Sequence, residues 1–399
     1  MAGSGRAEEV AELIIGSGPS AYGYLVGKKC ARRRCRSLLI TTTSTDARVP
    51  GLHPKLTVRG QLIVEPGPVS LHDGAQPVLI TSAFGGLSNA WGGVLASLDR
   101  KELEEMYGPE GGRIEQFYDP VIAELSIDHV LGEYTFPSEP KVHVIRGRDP
   151  SAWETGGLSV GPGVERLCRE LDTELWIPAK LLSLSAQGDG WMAQVEKDGD
   201  QVSIAAQRVV LAAGSPGNQR IFGGAAALSD HVPYQILQFA PFARKSDQLV
   251  GEISRQRGAI DVDYWVRHLS GDFLRKMAGA PAPLLAWMAK RLPLVLTQSW
   301  TGRTKARRTG VQWKSGSALT SIADLMRTVV RLTARGRMPL ACKKTPAGAG
   351  FHYGDPVASR APPVPGLVVL GGSRVRNLPV AHPSLSFMAH AALEAANEL

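Results

Sequence analysis

The alternation of apolar and polar positions marks out the elements of this chain. Residues 12–16, ELIIG, are an apolar run closed by glycine and predict a buried strand. Residues 19–29 predict a helix, and 37–42, SLLITT, a second strand. The chain therefore opens as strand, turn, helix, strand. Residues 61–110 are rich in Gly, Pro and Ser and read as loop. A short helix is expected at 163–172. Strand-like runs follow at 176–186, 190–196 and 201–205, parted by the turn sequences GDG and DGD. Residues 208–214, RVVLAAG, predict a buried strand. Between 220 and 350, strands (258–266, 294–300, 310–313) mix with helices (283–292, 320–335). A last strand is expected at 366–371 and a last helix at 383–397. Strands that return late to complete an early unit imply a discontinuous domain with the substrate part inserted.

Composition narrows the class. The chain has 399 residues and is 43% hydrophobic, enough for a large core and two or three domains. Its four cysteines match neither a disulfide framework nor a zinc spacing, so no metal site is expected and a reducing cytosol fits. The N-terminus is polar and acidic, unlike a secretion signal, and no apolar run nears the ~20 residues of a membrane span. A cytoplasmic protein, peripheral on a membrane at most, is the expectation.

The turn after the first strand carries Gly16-x-Gly18-x-x-Ala21. Gly16 allows a tight turn, Gly18 close backbone approach to a pyrophosphate, and Ala21 close packing of helix on strand. Pro19 opens the helix whose N-terminus would face the phosphates. A plain strand-turn-helix packing element is the other reading of the triplet. The acid that binds the adenosine ribose at the end of the second strand is missing: Ile40, Thr41 and Thr42 stand there. A Thr hydroxyl is the available substitute. The run KKCARRRCR (28–36) reads either as a solvated helix end or as a contact to a cofactor phosphate.

Three further stretches, FGGLSNAWGG (84–93), VVLAAGSPGNQRI (209–221) and FHYGDP (351–356) with LPVAHPSLSFMAHAA (378–392), follow in order. Together with the first turn they resemble the glucose–methanol–choline oxidoreductases, FAD enzymes that oxidise alcohols. The resemblance covers about half of the chain and implies FAD as cofactor. It implies a doubly wound, mostly parallel Rossmann-like α/β domain with an inserted antiparallel-sheet substrate domain. The division it suggests is 1–100, 155–235 and 350–399 for FAD, and 101–154 and 236–349 for the substrate domain. By the same resemblance, Gly16, Gly18, Pro19 and Ala21 form the pyrophosphate loop. Gly85, Gly86, Ser88, Asn89, Trp91 and Gly93 run along the flavin, and Ala212, Ala213 and Gly214 lie under the adenine half. Ser373 follows the last strand, and Pro383, Ser384 and Leu385 start a helix beneath the flavin ring.

His352 and His382 match the two active-site positions of that family. A neutral imidazole can take the hydroxyl proton while a second polar group holds the developing alkoxide. A His352 that only bonds backbone is the plain alternative, and His390, two turns into the helix, reads as structural. The family's Asp-x-Ser after the last strand is Gly371-Gly372-Ser373 here, so a second carboxylate is missing. The expected function is FAD-dependent alcohol oxidation, in tailoring of a sugar or secondary metabolite. The alternatives are non-redox or reductive flavin chemistry on a carrier- or lipid-linked substrate, and a degenerate nucleotide- or membrane-binding scaffold.

The net charge of +8 is unevenly placed. Leu285–Thr345 holds thirteen Lys/Arg and one acid, Asp324. Arg327, Arg331 and Arg335, spaced by four, form one helical stripe. Solvated charge is one reading. An anionic partner is the other: a phosphate-, nucleotide- or carrier-linked small-molecule alcohol, or an anionic membrane reached through 276–344. Nucleic acid is not expected, since no aromatic residues interleave with the arginines.

Overall fold

The computed structural model describes residues 7–42, 64–66, 79–81, 83–90, 93–136, 139–146, 159–222, 228–242, 250–256, 259–268, 287–288, 291–301, 305–309, 312–315, 318–345, 353–354, 364–379 and 382–397. β1 (Glu8–Ile15) pairs in parallel with β2 (Ser37–Ile40) on one side and with Asp200–Leu211 on the other. Thr173–Trp176 extends the sheet beyond β2, also in parallel. Asp200–Leu211 changes partner along its length. Residues 200–206 run antiparallel to Gly190–Lys197, and 209–211 run parallel to Leu367–Val369. Two strands were expected here, 201–205 and 208–214, but exposed Gln207 and half-buried Arg208 only interrupt the apolar run, not the ladder.

β1 starts earlier than the expected 12–16 because Glu8–Val10 pair with Ile204–Ala206, and Glu12 within it is buried. Lys28 Nζ lies 2.6 Å from Glu12 Oε2, and Tyr24 donates to Glu12 Oε1 at 2.6 Å. Burial alone would raise this carboxyl; the Lys28 ammonium and the two hydrogen bonds hold it below its ordinary value. The basic run 28–36 is thereby tied to this domain's own acids: Arg34 pairs with Asp172 and Arg36 with Glu8.

α1 (Pro19–Cys30) crosses the C-terminal helix, Ser384–Ala396, at close range. A Cβ on Gly23 would lie 2.1 Å from Met388 O, and one on Gly27 2.2 Å from Ala392 O. Both glycines are needed for the backbones to approach. Arg100–Tyr107, started by an Asp99–Glu102 capping box, and Tyr118–Asp128 pack on the same core. Tyr118 Oη sits 2.8 Å from Ser386 Oγ.

A five-stranded antiparallel sheet forms a second layer, in the order Val250–Gln256, Ala259–Trp265, Leu294–Thr301, Tyr234–Phe239, Met338–Lys344. The helix Ala318–Thr333 covers one face, with Leu332 against Tyr234 and Ile236. Leu237, Leu296, Ile260 and Val262 join the main core. The architecture is mixed α/β, a mainly parallel sheet with separate antiparallel sheets, as the sequence implied. The expected helix 283–292 and strand 310–313 lie largely outside the described residues.

Candidate active site

Four of the parallel strands end at one cleft. Gly16 follows β1, Thr41 follows β2, Ala212 follows Asp200–Leu211, and Gly371 and Gly372 follow the last strand. From Thr41 to Gly372 this spans about 14 Å, at ~4.8 Å per strand. Ligands of open α/β sheets bind at this edge.

Gly16, Gly18, Pro19, Thr41, Thr42, Gly86, Ser88, Ala213, Gly214 and Ser384 line the cleft. Gly16 has φ +108, and a Cβ there would lie 2.6 Å from Ala212 O. Its role is to let the turn close. Gly18 is different: its Cβ would have no neighbour nearer than Gly86 Cα at 3.7 Å, so it would project into the cleft. Gly18 is also the N-cap of α1, with no side-chain cap and no acid in the first turn. The first-turn N–H groups are therefore left for an anion. This space and these donors fit a pyrophosphate.

Several expected site residues serve by packing rather than by lining the cleft. Ala21 and Leu385 are fully buried in the helix layer. Gly93, at φ +69, precedes Val94–Ala96 and accepts from Ile145 N. Ser373 is buried and accepts from Asn218 Nδ2 at 3.0 Å. The backbone of Asn89 lies in the 3-10 turn Gly86–Ala90, and its side chain is outside the described residues, as are Trp91 and His352.

Other residues of the cleft carry no motif. Ser17 Oγ lies 3.1 Å from Thr41 Oγ1 and accepts Gly85 N at 3.1 Å, tying the first turn to β2 and to the second glycine loop. Asn218 accepts from Ala213 N and donates to Leu211 O and Leu370 O, fixing the two strand ends beside each other. Ser215 donates to Tyr353 O at 2.7 Å, which places Tyr353 at the wall. Buried polar groups joined in this way hold a cleft in shape. No periodicity flags them; Ser17, Ser215, Asn218 and Tyr353 all lie inside stretches already singled out, but as positions to which no role was given.

His382 is buried two residues before Ser384 and next to Pro383, the N-cap of the C-terminal helix. Its ring meets Trp300 edge-on, 4.5 Å between centroids. Trp300 in turn meets His231 at 5.4 Å. Trp300 comes from the antiparallel sheet, so both layers meet at His382. His390 lies deeper, stacked on Tyr107 at 4.3 Å, with burial pushing its imidazole down to about 3. It is a core residue, as its helical position implied. Among the described residues no group of three or more His, Cys, Asp or Glu is placed to hold a metal ion.

No protein-family model matches this chain, and a search of curated proteins finds no match. Solved structures are similar in fold. Pyridoxine 4-oxidase from Mesorbium loti superposes with a TM-score of 0.59 at 13% identity, over 98% of this chain and 99% of that one. A flavoprotein/dehydrogenase from Cytophaga hutchinsonii gives 0.42 at 9% identity, over 98% and 77%. A geranylgeranyl bacteriochlorophyll reductase-like protein from Thermoplasma acidophilum gives 0.40 at 11%, over 98% and 77%. This chain shares the overall fold of the first of these.

Proposed function

We propose that this chain is an FAD-dependent oxidoreductase that oxidises an alcohol to a carbonyl. The observation that carries the reading is the continuity of one cleft. It leads from the glycine turn Gly16–Gly18 past Gly86 to Ser384 and Phe387, and buried His382 stands two residues before Ser384 in the chain. Pyridoxine 4-oxidase, an oxidase by name, has the same fold.

The residues divide by place. Gly16, Gly18 and the first-turn N–H groups of α1 hold the pyrophosphate. Thr41 and Thr42 take the adenosine end, with hydroxyls in place of a carboxylate. Gly86 and Ser88 border the middle, and Tyr353, Ser384 and Phe387 the flavin end. Bound FAD supplies an acceptor for the hydride that leaves the alcohol carbon. His382 takes the hydroxyl proton, and Trp300 fixes its ring from the antiparallel sheet. The N-terminal turn of Ser384–Ala396 favours negative charge at this end of the cleft. By the resemblance, His352 is the second polar group on the substrate oxygen.

The test is anaerobic loss of flavin absorbance on mixing with a panel of alcohols. His382→Ala is expected to slow reduction by roughly 10²–10⁴, with FAD content unchanged. His382→Asn is milder, because an amide still donates to the alkoxide. Reduction of the Ala variant at the wild-type rate would remove the proton-transfer role.

A further inference from the structure

The cleft that holds the glycine turn is lined by charge of one sign. Lys180 and Arg220 line it, and among the described residues no Asp or Glu does. Both side chains are exposed and neither is in an ion pair. Glu196 stands opposite Lys180 in the strand register, yet no salt bridge joins the two.

The two cations come from different elements and meet around the end of β2. Ala179 donates its N–H to Thr41 O at 2.8 Å, and Lys180 is the next residue. Thr173–Trp176, which pairs with β2 on the side away from β1, leads into this strand. Arg220 lies in the last turn of the helix Gly214–Phe222. Its neighbour Ile221, and Leu181 beside Lys180, pack on one cluster with Ile40, Trp176 and Ala179. In the reading of the cleft given above, this is its adenosine end.

The chemistry at this end does not suit a bare ribose. A ribose diol donates to a carboxylate, and Thr41 and Thr42 stand where that carboxylate belongs. A threonine hydroxyl can donate to a phosphate oxygen, and Lys and Arg do so with charge. In dinucleotide-binding folds a nearby arginine accommodates a phosphate on the ribose. FAD carries no charge on its ribose, and in that reading its pyrophosphate is met by the first turn of α1. Two unpaired cations at the ribose therefore gain nothing from FAD.

We propose that Lys180, Arg220 and Thr42 form a phosphate site at the adenosine end of the cleft, which selects adenine nucleotides whose ribose is phosphorylated. The inference rests on the reading of the cleft as a dinucleotide site and concerns which nucleotide that site prefers.

Two pairs of probes each differ by one ribose phosphate: NADP+ against NAD+ for the 2′ position, and coenzyme A against 3′-dephospho-coenzyme A for the 3′ position. Each is titrated calorimetrically into the full chain, and competition with FAD locates the binding in this cleft. The phosphorylated member of one pair is expected to bind at least about tenfold tighter, and the pair with the larger ratio names the ribose oxygen. The preference should shrink with salt, because both cations are exposed. K180Q/R220Q should bring the two members of that pair to within about twofold of each other, with its thermal midpoint unchanged. Equal affinities within both pairs, while FAD still binds, would overturn this inference alone. A preference that survives in K180Q/R220Q would overturn it too. Binding of none of these nucleotides, FAD included, would remove the dinucleotide reading along with it.

Discussion

Gly371 and Ser20 compete for one space: a Cβ on Gly371 would stand 2.6 Å from Ser20 Oγ. Gly371 also has φ +71, a left-handed backbone that side chains rarely adopt. By the resemblance to the glucose–methanol–choline oxidoreductases, this is the position of that family's Asp. A carboxylate side chain here would strain the backbone and displace the Ser20 hydroxyl. Gly371→Asp is expected to lower stability by about 1–3 kcal/mol and to reduce FAD retention rather than improve it. Thermal melting and FAD released on denaturation measure both.

The crossing of α1 with the C-terminal helix depends on Gly27 and Gly23. A Cβ at Gly27 would meet backbone, Ala392 O at 2.2 Å, and backbone cannot swing aside. Gly27→Ala should destabilise by roughly 1–3 kcal/mol through forced separation of the helices. Urea unfolding would show a lower midpoint. An unchanged midpoint would mean that the helices cross further apart.

How far the sequence disclosed this molecule depends on the range of each interaction. The first turn was readable because Gly16, Gly18 and Ala21 act on neighbours a few residues away. Gly23 and Gly27 gave no signal, since the helix they admit lies at the other end of the chain. The four-residue spacing of Arg327, Arg331 and Arg335 placed them on one stripe. It could not show that Asp261, on a distant strand, receives two of them. The pairing of Glu12 with Lys28 was not legible either, because Lys28 sits in a run of cations that the sequence assigned only to solvent or to a cofactor phosphate. Trp300 and His231 belong to no motif, and only the folding of the antiparallel sheet onto the C-terminal segment brings them near His382.

His390 predicts an acid-limb effect. Burial, with Arg374 adding to it, pushes its imidazole from 6.5 down to about 3. The unfolded chain then takes a proton near pH 6.5 that the folded chain refuses until about 3. The contribution is complete above pH 6.5 and is lost progressively as pH falls toward 3, by a few kcal/mol at ~1.4 kcal/mol per unit. Glu394, whose carboxyl is raised by burial, works in the opposite direction. His390→Phe keeps the stack on Tyr107 and removes the titration. Its stability should fall less steeply between pH 6.5 and 3 than that of wild type. Parallel slopes would show that His390 titrates in the fold as it does in the open chain.

If the Gly16–Gly18 turn cradles the pyrophosphate of FAD, a side chain at each glycine has a different effect. FAD is titrated into apoprotein of wild type and Gly18→Val, following flavin fluorescence, with thermal midpoints recorded without cofactor. Wild type should saturate at about one FAD per chain. Gly18→Val should keep the cofactor-free midpoint, because its Cβ meets nothing closer than 3.7 Å, yet bind no FAD, because that Cβ fills the phosphate space. A Gly16→Val control should instead lose the fold, since its Cβ would lie 2.6 Å from Ala212 O. No FAD uptake by folded wild type, or equal uptake by Gly18→Val, would show that this turn does not hold the pyrophosphate.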